Sequence, residues 1–317
     1  MTPLIKALFA LGIIYWLIKS DKLDFSSLKS LLNPVVFISC ISLVAMNLFI
    51  VSERWRILLS SQNIKALSWP TFKLTLIGNF FNFAMPGGVG GDVVKAFYFA
   101  KDHPNSRVVA LTSVLMDRVL GLFAMVLMAF IVMLVDIEHI LKTPSLFTLF
   151  IFISSLALGF VLSLALVFSE FIYQKNWIRK IISPLPLKNK LLKVYDSLHL
   201  YGQSKKKLTW VLLLSLVAQS SSVVFLALVG KAAGFDVSIW TYFLVAPLGF
   251  MATAIPISPA GVGVGQAAFY FLFNLYLQKD SNIGPTVITA FQIMTFFVST
   301  AGAVFYLRRK DRVTSQE

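Results

Sequence analysis

The chain has 317 residues, of which 57% are hydrophobic and 13% charged, and its mean hydropathy is +0.80. Soluble domains average roughly 45–50% apolar and 25% charged residues, so this composition excludes a soluble enzyme, a disulfide-stabilised secreted domain and a disordered tail. Its 28 Lys and Arg against 14 Asp and Glu give a net charge of +14. We therefore expect a basic integral membrane protein.

The N-terminal apolar stretch 3–18 is short enough to resemble a signal peptide. No small-residue cleavage site follows it, and Trp16 and Lys19 are typical of anchors at a membrane interface. We predict a retained first helix. The single cysteine, Cys40, lies in the next apolar run and excludes an intrachain disulfide and a cysteine-based metal site.

A spanning helix needs about 20 apolar residues. Together with 3–18, five later segments meet this criterion, so we predict six spans. The later segments are 33–51, 108–135, 145–168, 208–230 and 285–307.

Two further apolar stretches, 69–101 and 239–278, are each interrupted near the middle by proline and glycine. Proline removes a backbone donor and glycine is a poor helix former, so neither stretch can be one continuous helix. We predict two re-entrant hairpins, which return to the side from which they entered. Such irregular backbone requires cover from protein or a wet cavity.

The basic residues support this topology. With a cytoplasmic N-terminus, 20 Lys and Arg fall in cytoplasmic segments, six in outer loops and two within the membrane. This is the bias that the positive-inside rule describes, and it predicts a cytoplasmic membrane protein with both termini inside. The cytoplasmic segments are then 1–6, 52–73, 101–107, 169–207 and the tail from Arg308.

The two halves of the chain, 1–143 and 144–317, repeat the order span, span, hairpin, span. Both hairpins contain Pro-x-Gly-Val-Gly, starting at Pro86 and at Pro259. Three spans per half make the second half an inverted copy, and the hairpin tips should meet near the midplane. Paired interrupted segments of this kind indicate a transporter's substrate site.

The linker 169–207 contains nine Lys and Arg against Glu170 and Asp196. Two interpretations remain open: an amphipathic segment on anionic lipid, or a solvated loop that enforces topology. Nucleic-acid binding is not expected.

The glycines before Asp92 lack the Gly-Lys-Ser/Thr ending of a nucleotide-binding loop. Asp92 is a natural N-cap, so the helix after the turn would point free N–H groups at an anion, as would the segment from Gly263 to Gln266. Alternatively, the glycines only permit close helix packing.

Four charged residues lie at membrane depth and sum to zero: Asp92, Lys95, Asp117 and Arg118. They form either a structural network or one that also presents Lys95 or Arg118 to a phosphate headgroup. The sequence contains no His–acid or paired-carboxylate arrangement, so we predict no enzyme, cofactor or metal. The candidate substrate-binding residues are Asn79, Asn82, Gly87, Gly88, Gly90, Gly91, Asp92, Lys95, Asp117, Arg118, Gln219, Pro259, Gly261, Gly263 and Gln266.

The segments from Asn79 to Asp92, from Asp117 to Leu122 and from Pro256 to Gly263, with Lys95, resemble the membrane region of lysylphosphatidylglycerol synthases. They are equally similar to free-standing flippase-like relatives, and the resemblance covers nearly the whole chain. It implies a bacterial or archaeal inner-membrane protein that handles phospholipids or polyprenyl-phosphate-linked lipids. Lipid lysylation is not implied, because nothing here resembles the aminoacyl-transferring domain.

Two positions depart from the family pattern: Ala260 replaces a usual glycine, and Gln266 stands where an acidic residue is common. An acidic residue at this position would be able to couple transport to protons, so glutamine there places such coupling in doubt. The leading hypothesis is an anionic-lipid flippase that works by alternating access. The alternatives are a channel or small-solute carrier, and a non-transporting membrane partner of a lipid-modifying enzyme; a homo-oligomer is compatible with each.

Overall fold

The structure is a computed structural model that describes residues 15, 19, 25–84, 90–175, 177–255 and 257–314. Helices dominate these residues, and no strand occurs among them. Six of the described helices are long and apolar enough to cross a membrane: Pro34–Ser61, Arg107–Val135, Pro144–Phe168, Lys205–Ala232, Pro259–Leu277 and Ile283–Arg309. The predicted all-α membrane fold is confirmed.

We label the helices in chain order. They are α1 (Pro34–Ser61), α2 (Ser68–Ala84), α3 (Gly90–Asp102), α4 (Arg107–Val135), α5 (Ile137–Lys142), α6 (Pro144–Phe168), α7 (Glu170–Gln174), α8 (Trp177–Ile182), α9 (Lys188–Gly202), α10 (Lys205–Ala232), α11 (Ile239–Thr253), α12 (Val264–Leu277) and α13 (Ile283–Thr314). Short 3-10 turns occur at Phe25–Leu32, Pro104–Ser106 and Pro259–Gly261.

Five of the predicted spans correspond to α1, α4, α6, α10 and α13. The predicted span 3–18 lies outside the described residues except for Tyr15. The sixth long apolar helix, Pro259–Leu277, lies instead in the stretch 239–278. Re-entry of that stretch and of 69–101 stays a prediction.

Helix α1 continues well past its predicted end at 51. Its start is fixed by Pro34 in the first turn and by Asn33, whose side chain accepts a hydrogen bond from the Val35 N–H at 3.0 Å. The helix then continues to Ser61, about 15 Å beyond residue 51 at 1.5 Å per residue. It continues because Trp55, Leu58 and Leu59 are completely buried, and burial of this face stabilises the extra turns. The predicted span 33–51 thus ends ten residues before the helix does, and the cytoplasmic position of 52–61 stays a prediction.

Both interrupted stretches form pairs of helices that pack against each other, α2 on α3 and α11 on α12. The turn of the second pair, Pro259–Gly261, contacts α2 of the first pair. The turn of the second pair therefore lies against the first pair, and the predicted meeting of the two hairpin tips stays a prediction. Their depth in a membrane, and the side from which each enters, stay predictions.

Packing partners exchange between the two halves of the chain. Helix α1 packs along α10, its counterpart in the predicted repeat. Helix α2 packs on α13, and the corresponding α11 packs on α4. Within each half, the contact of α1 with α4 corresponds to the contact of α10 with α13. The repeat boundaries 1–143 and 144–317 and the inverted orientation stay predictions.

The linker 169–207 is largely helical. Helix α9 packs on α4 and α6 and buries Tyr195, Ser197, His199 and Tyr201. The Gln62 amide donates to the Ser197 carbonyl oxygen at 2.7 Å and ties α9 to the end of α1. The part of the linker that forms α9 is therefore not a solvated loop. Earlier in the linker, Trp177 and Ile181 of α8 are exposed, so contact with anionic lipid stays a prediction for that part.

Candidate functional site

A polar cavity of about 410 Å3 lies inside the bundle, where α1, α2, α4, α10, α11 and α13 converge. The polar residues that line it are Asn47, Arg54, Asn79, Asn82, Asp117, Arg118, Gln219, Ser222 and Thr253. We call it the central cavity. Polar side chains are costly in the interior of a membrane protein, so this concentration marks the main candidate for a ligand site.

A buried ion cluster forms one wall of the central cavity. The Arg54 Nε donates to Asp117 Oδ1 at 2.8 Å, and its Nη1 donates to Ser215 Oγ at 3.2 Å. Lys95 Nζ lies 3.8 Å from Asp117 Oδ2 and 3.9 Å from the centre of the Trp55 ring. Each cation thus has a partner that compensates for its removal from water.

Asp92 and Arg118 form a second ion pair, between α3 and α4. Their side chains are 22% and 34% exposed, against 5% for Lys95 and 9% for Asp117. Arg118 also lines the central cavity, whereas Lys95 does not. Of the two cations proposed from the sequence as headgroup contacts, Arg118 is the one that faces a space where a ligand fits.

The structure brings together all four charged residues that the sequence places at membrane depth, and it adds Arg54. This arginine is 7% exposed, although the topology predicted from the sequence places it in a cytoplasmic segment. Counted together, the cluster and the second ion pair contain three cations (Arg54, Lys95, Arg118) and two carboxylates, Asp92 and Asp117. Their formal charge is +1, whereas the four residues predicted from the sequence sum to zero. Helical spacing places Arg54, Leu58 and Ser61 on one face beside Trp55, but the spacing alone does not show that this face is buried.

The predicted amides also reach the central cavity. Asn79 donates to Ser299 Oγ of α13 at 2.6 Å, and Asn82 accepts from the Gly91 N–H at 3.0 Å. Gln219 lines the cavity from α10. Its side chain makes no hydrogen bond within the described part of the chain, so it is available to a ligand.

The first glycine turn is described only from Gly90 onward, and Gly87 and Gly88 lie outside the described residues. Helix α3 begins at Gly90, so Asp92 lies inside the first turn and pairs with Arg118. The prediction that Asp92 is the N-cap is wrong. A Cβ on Gly91 would overlap the Gly78 carbonyl oxygen, which shows that this glycine permits close packing of α2 and α3.

The second glycine turn is held by its own side chains. Gly261 and Gly263 have φ values of +71° and +83°, in the left-handed region that favours glycine. Gln266 accepts from the Gly263 N–H at 2.7 Å and donates to Gln292 Oε1 at 2.8 Å. Gln266 is 2% exposed and does not line the central cavity. The N–H group of Gly263 is therefore already occupied by the protein.

Ala260, beside Pro259, lines a smaller cavity of about 180 Å3. Asn79, Asn82 and Thr253 line this small cavity as well as the central one. The turn of the second hairpin thus stands next to the predicted amides of the first. In this part of the site the turn Pro259–Gly261 lies against α2.

Residues 4–303 match the model of one protein family, described as the lysylphosphatidylglycerol synthase TM region. The chain belongs to this family. Family membership and six long apolar helices make it a multi-pass membrane protein of a family linked to lipid handling. Comparison with curated proteins and with solved structures finds no match.

Proposed function

We propose that this member of the lysylphosphatidylglycerol synthase TM family moves an anionic lipid between the leaflets of the cytoplasmic membrane. The observation that carries the proposal is the position of Arg118. This residue lines the polar central cavity and also an apolar groove of about 380 Å3 between α3 and α4. A charged group at the boundary of a polar and an apolar space suits an amphiphile with an anionic head.

The charge of the site supports an anionic ligand. The ion cluster has one more cation than carboxylates, and Arg118 is its most exposed cation. A guanidinium presents a planar fork of donors that matches phosphate oxygens. Gln219 and Asn79 also line the central cavity and add neutral polar contacts for a headgroup.

The apolar surroundings support a lipid over a small solute. The groove between α3 and α4 is lined by Val93, Phe97 and Leu111, all more than half exposed on the outside of the bundle. A second apolar cavity of about 510 Å3 shares Leu122 with the central cavity. Chains of a lipid could stay in apolar surroundings while its head occupies the central cavity.

The exchange of packing partners between the halves supports alternating access. Inverted repeats bind substrate where their interrupted helices meet and open to each side by rocking against each other. Here the two hairpins meet at Pro259–Gly261 and α2, next to the central cavity. We propose that the anionic lipid, a phospholipid or a polyprenyl-phosphate lipid, binds there.

The proposed role is binding and transport without catalysis and without a cofactor. The proposed orientation has both termini in the cytoplasm, in accordance with the excess of Lys and Arg in the segments assigned to that side.

The test uses purified protein in vesicles that carry a trace of fluorescent phosphatidylglycerol. A membrane-impermeant quencher reports how fast the lipid changes leaflet. The wild-type protein should accelerate this movement, and more for phosphatidylglycerol than for the zwitterionic phosphatidylcholine. Arg118→Ala should slow it about tenfold or more, since a hydrogen bond to a charged group contributes about 1.5–3 kcal/mol.

The matched control is Lys65→Ala, because Lys65 is exposed on the loop between α1 and α2 and lines none of these cavities. It should keep the wild-type rate. No acceleration of any anionic lipid, together with water or solute flux, would favour the channel or carrier. A wild-type protein that moves neither lipid nor solute would favour a non-transporting membrane partner.

A further inference from the structure

A second charged cavity lies away from the central cavity and shares no lining residue with it. It measures about 320 Å3 and lies where the start of α2, the end of α3 and the end of α13 meet. Lys73, Arg308 and Arg309 supply three cations to its lining, and Asp102 supplies one carboxylate. We call it the basic cavity.

The charges of the basic cavity do not cancel. Arg309 forms an ion pair with Asp102. Lys73 and Arg308 form no salt bridge with any residue that the structure describes. The lining therefore has an excess of two positive charges, and two of its cations have no anionic partner within the described part of the chain.

Aromatic rings hold the Lys73 ammonium group at this place. Its Nζ lies 5.2 Å from the centre of the Trp69 ring and 5.6 Å from that of Phe305. Cation–π contacts of this length favour the charged form without neutralising it. Trp69 itself is exposed, and exposed tryptophans of membrane proteins concentrate at headgroup level. The basic cavity thus combines an oriented cation with a position typical of the membrane interface.

We propose that the basic cavity binds an anionic phosphate group on the predicted cytoplasmic side. Basic pockets between helices on that side of a membrane are typical sites for the heads of anionic lipids. The same chemistry would accept a soluble phosphate. A bound phosphate would contact Lys73 of the first hairpin and Arg308 of the last span, and would stabilise the contact between them.

The test measures binding, not transport, so its result does not depend on the proposed function. Cys40 is the single cysteine and is fully buried, so a thiol-reactive dye reports unfolding of the purified protein. The unfolding midpoint is followed against monomeric dihexanoyl-phosphatidylglycerol, dihexanoyl-phosphatidylcholine and sodium phosphate at constant ionic strength. A ligand at free concentration L that binds only the folded state stabilises it by RT ln(1 + L/Kd), so at a given concentration the midpoint rises more for the tighter ligand.

The test variant is the double substitution Lys73→Gln with Arg308→Gln. A hydrogen bond to a charged group contributes about 1.5–3 kcal/mol, so the double variant should bind phosphatidylglycerol at least about tenfold more weakly. The matched control is Lys65→Gln with Lys101→Gln, which removes the same charge at two exposed positions outside the cavity.

Selective loss in the test variant supports the proposal. If phosphatidylglycerol alone is affected, the ligand is a lipid head; if sodium phosphate behaves in the same way, the ligand is a soluble phosphate. The experiment repeated in the Arg118→Gln background should give the same loss, which separates the basic cavity from the central one. Equal loss in the control and test variants, or no loss in either, overturns the proposal.

Discussion

Arg54 and Asp117 form a buried ion pair between α1 and α4, with 2.8 Å between Nε and Oδ1. The other carboxylate oxygen of Asp117 faces Lys95 at 3.8 Å. One carboxylate therefore compensates two cations that come from different helices. Because each of these three side chains is less than a tenth exposed, the carboxylate fixes the relative positions of α1, α3 and α4.

The first prediction concerns Asp117→Asn. The substitution keeps the size of the side chain but leaves Arg54 and Lys95 buried without a counter-charge. Removal of one member of a buried ion pair costs about 3–5 kcal/mol. We expect a markedly lower unfolding midpoint, measured with the thiol-reactive dye on Cys40.

Asp92→Asn is the matched control, because it makes the same change in the more exposed pair with Arg118. This pair is only part-buried, so loss of its carboxylate should lower the midpoint less than Asp117→Asn does. Equal destabilisation by the two substitutions would contradict the special role of Asp117.

The second prediction concerns the contact of α2 with α3. In Gly91→Ala the new Cβ would overlap the Gly78 carbonyl oxygen, which is backbone and cannot move aside easily. Overpacking of this kind costs about 1–3 kcal/mol, so the unfolding midpoint should fall. Gly159→Ala in α6 is the control, since a Cβ there meets no atom within 4 Å. Its midpoint should stay or rise, because alanine is the better helix former.

Five of the long helices could be predicted from the sequence because each is a long apolar run, and a run of that kind has one stable form in a membrane. The division of 69–101 and 239–278 into two helices each could be predicted for a local reason, the proline and glycine near their centres. The extension of α1 to Ser61 could not be predicted from the sequence. Ser52, Glu53 and Arg54 lower the hydropathy of the window, and only the neighbouring helices show that one face of this segment is buried.

The site could be predicted in part. Charged residues at membrane depth stand out in any sequence, and all four predicted ones belong to the ion clusters. Their partners could not be predicted, because spacing on one helix fixes a shared face and not the residue opposite. Asp92 and Lys95 lie three residues apart on α3, yet Asp92 pairs with Arg118 and Lys95 with Asp117.

The third prediction concerns Ala260, a non-glycine residue in the turn of the second pair of helices. Its φ and ψ are 48° and 22°, a left-handed conformation that costs a residue with a Cβ about 1–2 kcal/mol. Glycine removes this cost but adds about 0.5–1 kcal/mol of chain entropy to the unfolded state. We expect Ala260→Gly to raise the unfolding midpoint slightly.

The neighbouring change Gly261→Ala should do the opposite. Gly261 has a φ of +71°, and a Cβ there would lie 2.6 Å from the Thr253 Cβ. Its midpoint should fall clearly below that of the wild type. A fall in both variants would mean that the Ala260 methyl group stabilises the turn by more than its backbone conformation costs.

The last prediction separates Lys95 from Arg118. Lys95 is 4% exposed and contacts Trp55 and Asp117, whereas Arg118 lines the central cavity. Lys95→Gln should therefore lower the unfolding midpoint, while the folded fraction keeps its preference for phosphatidylglycerol over phosphatidylcholine in the vesicle assay. Arg118→Gln should leave the unfolding midpoint nearly unchanged and reduce that preference about tenfold. The substitution removes the charge that faces the ligand and leaves the buried contacts of Asp117 with Arg54 and Lys95 in place. The reverse pattern would assign the headgroup contact to Lys95 and make Arg118 a structural residue.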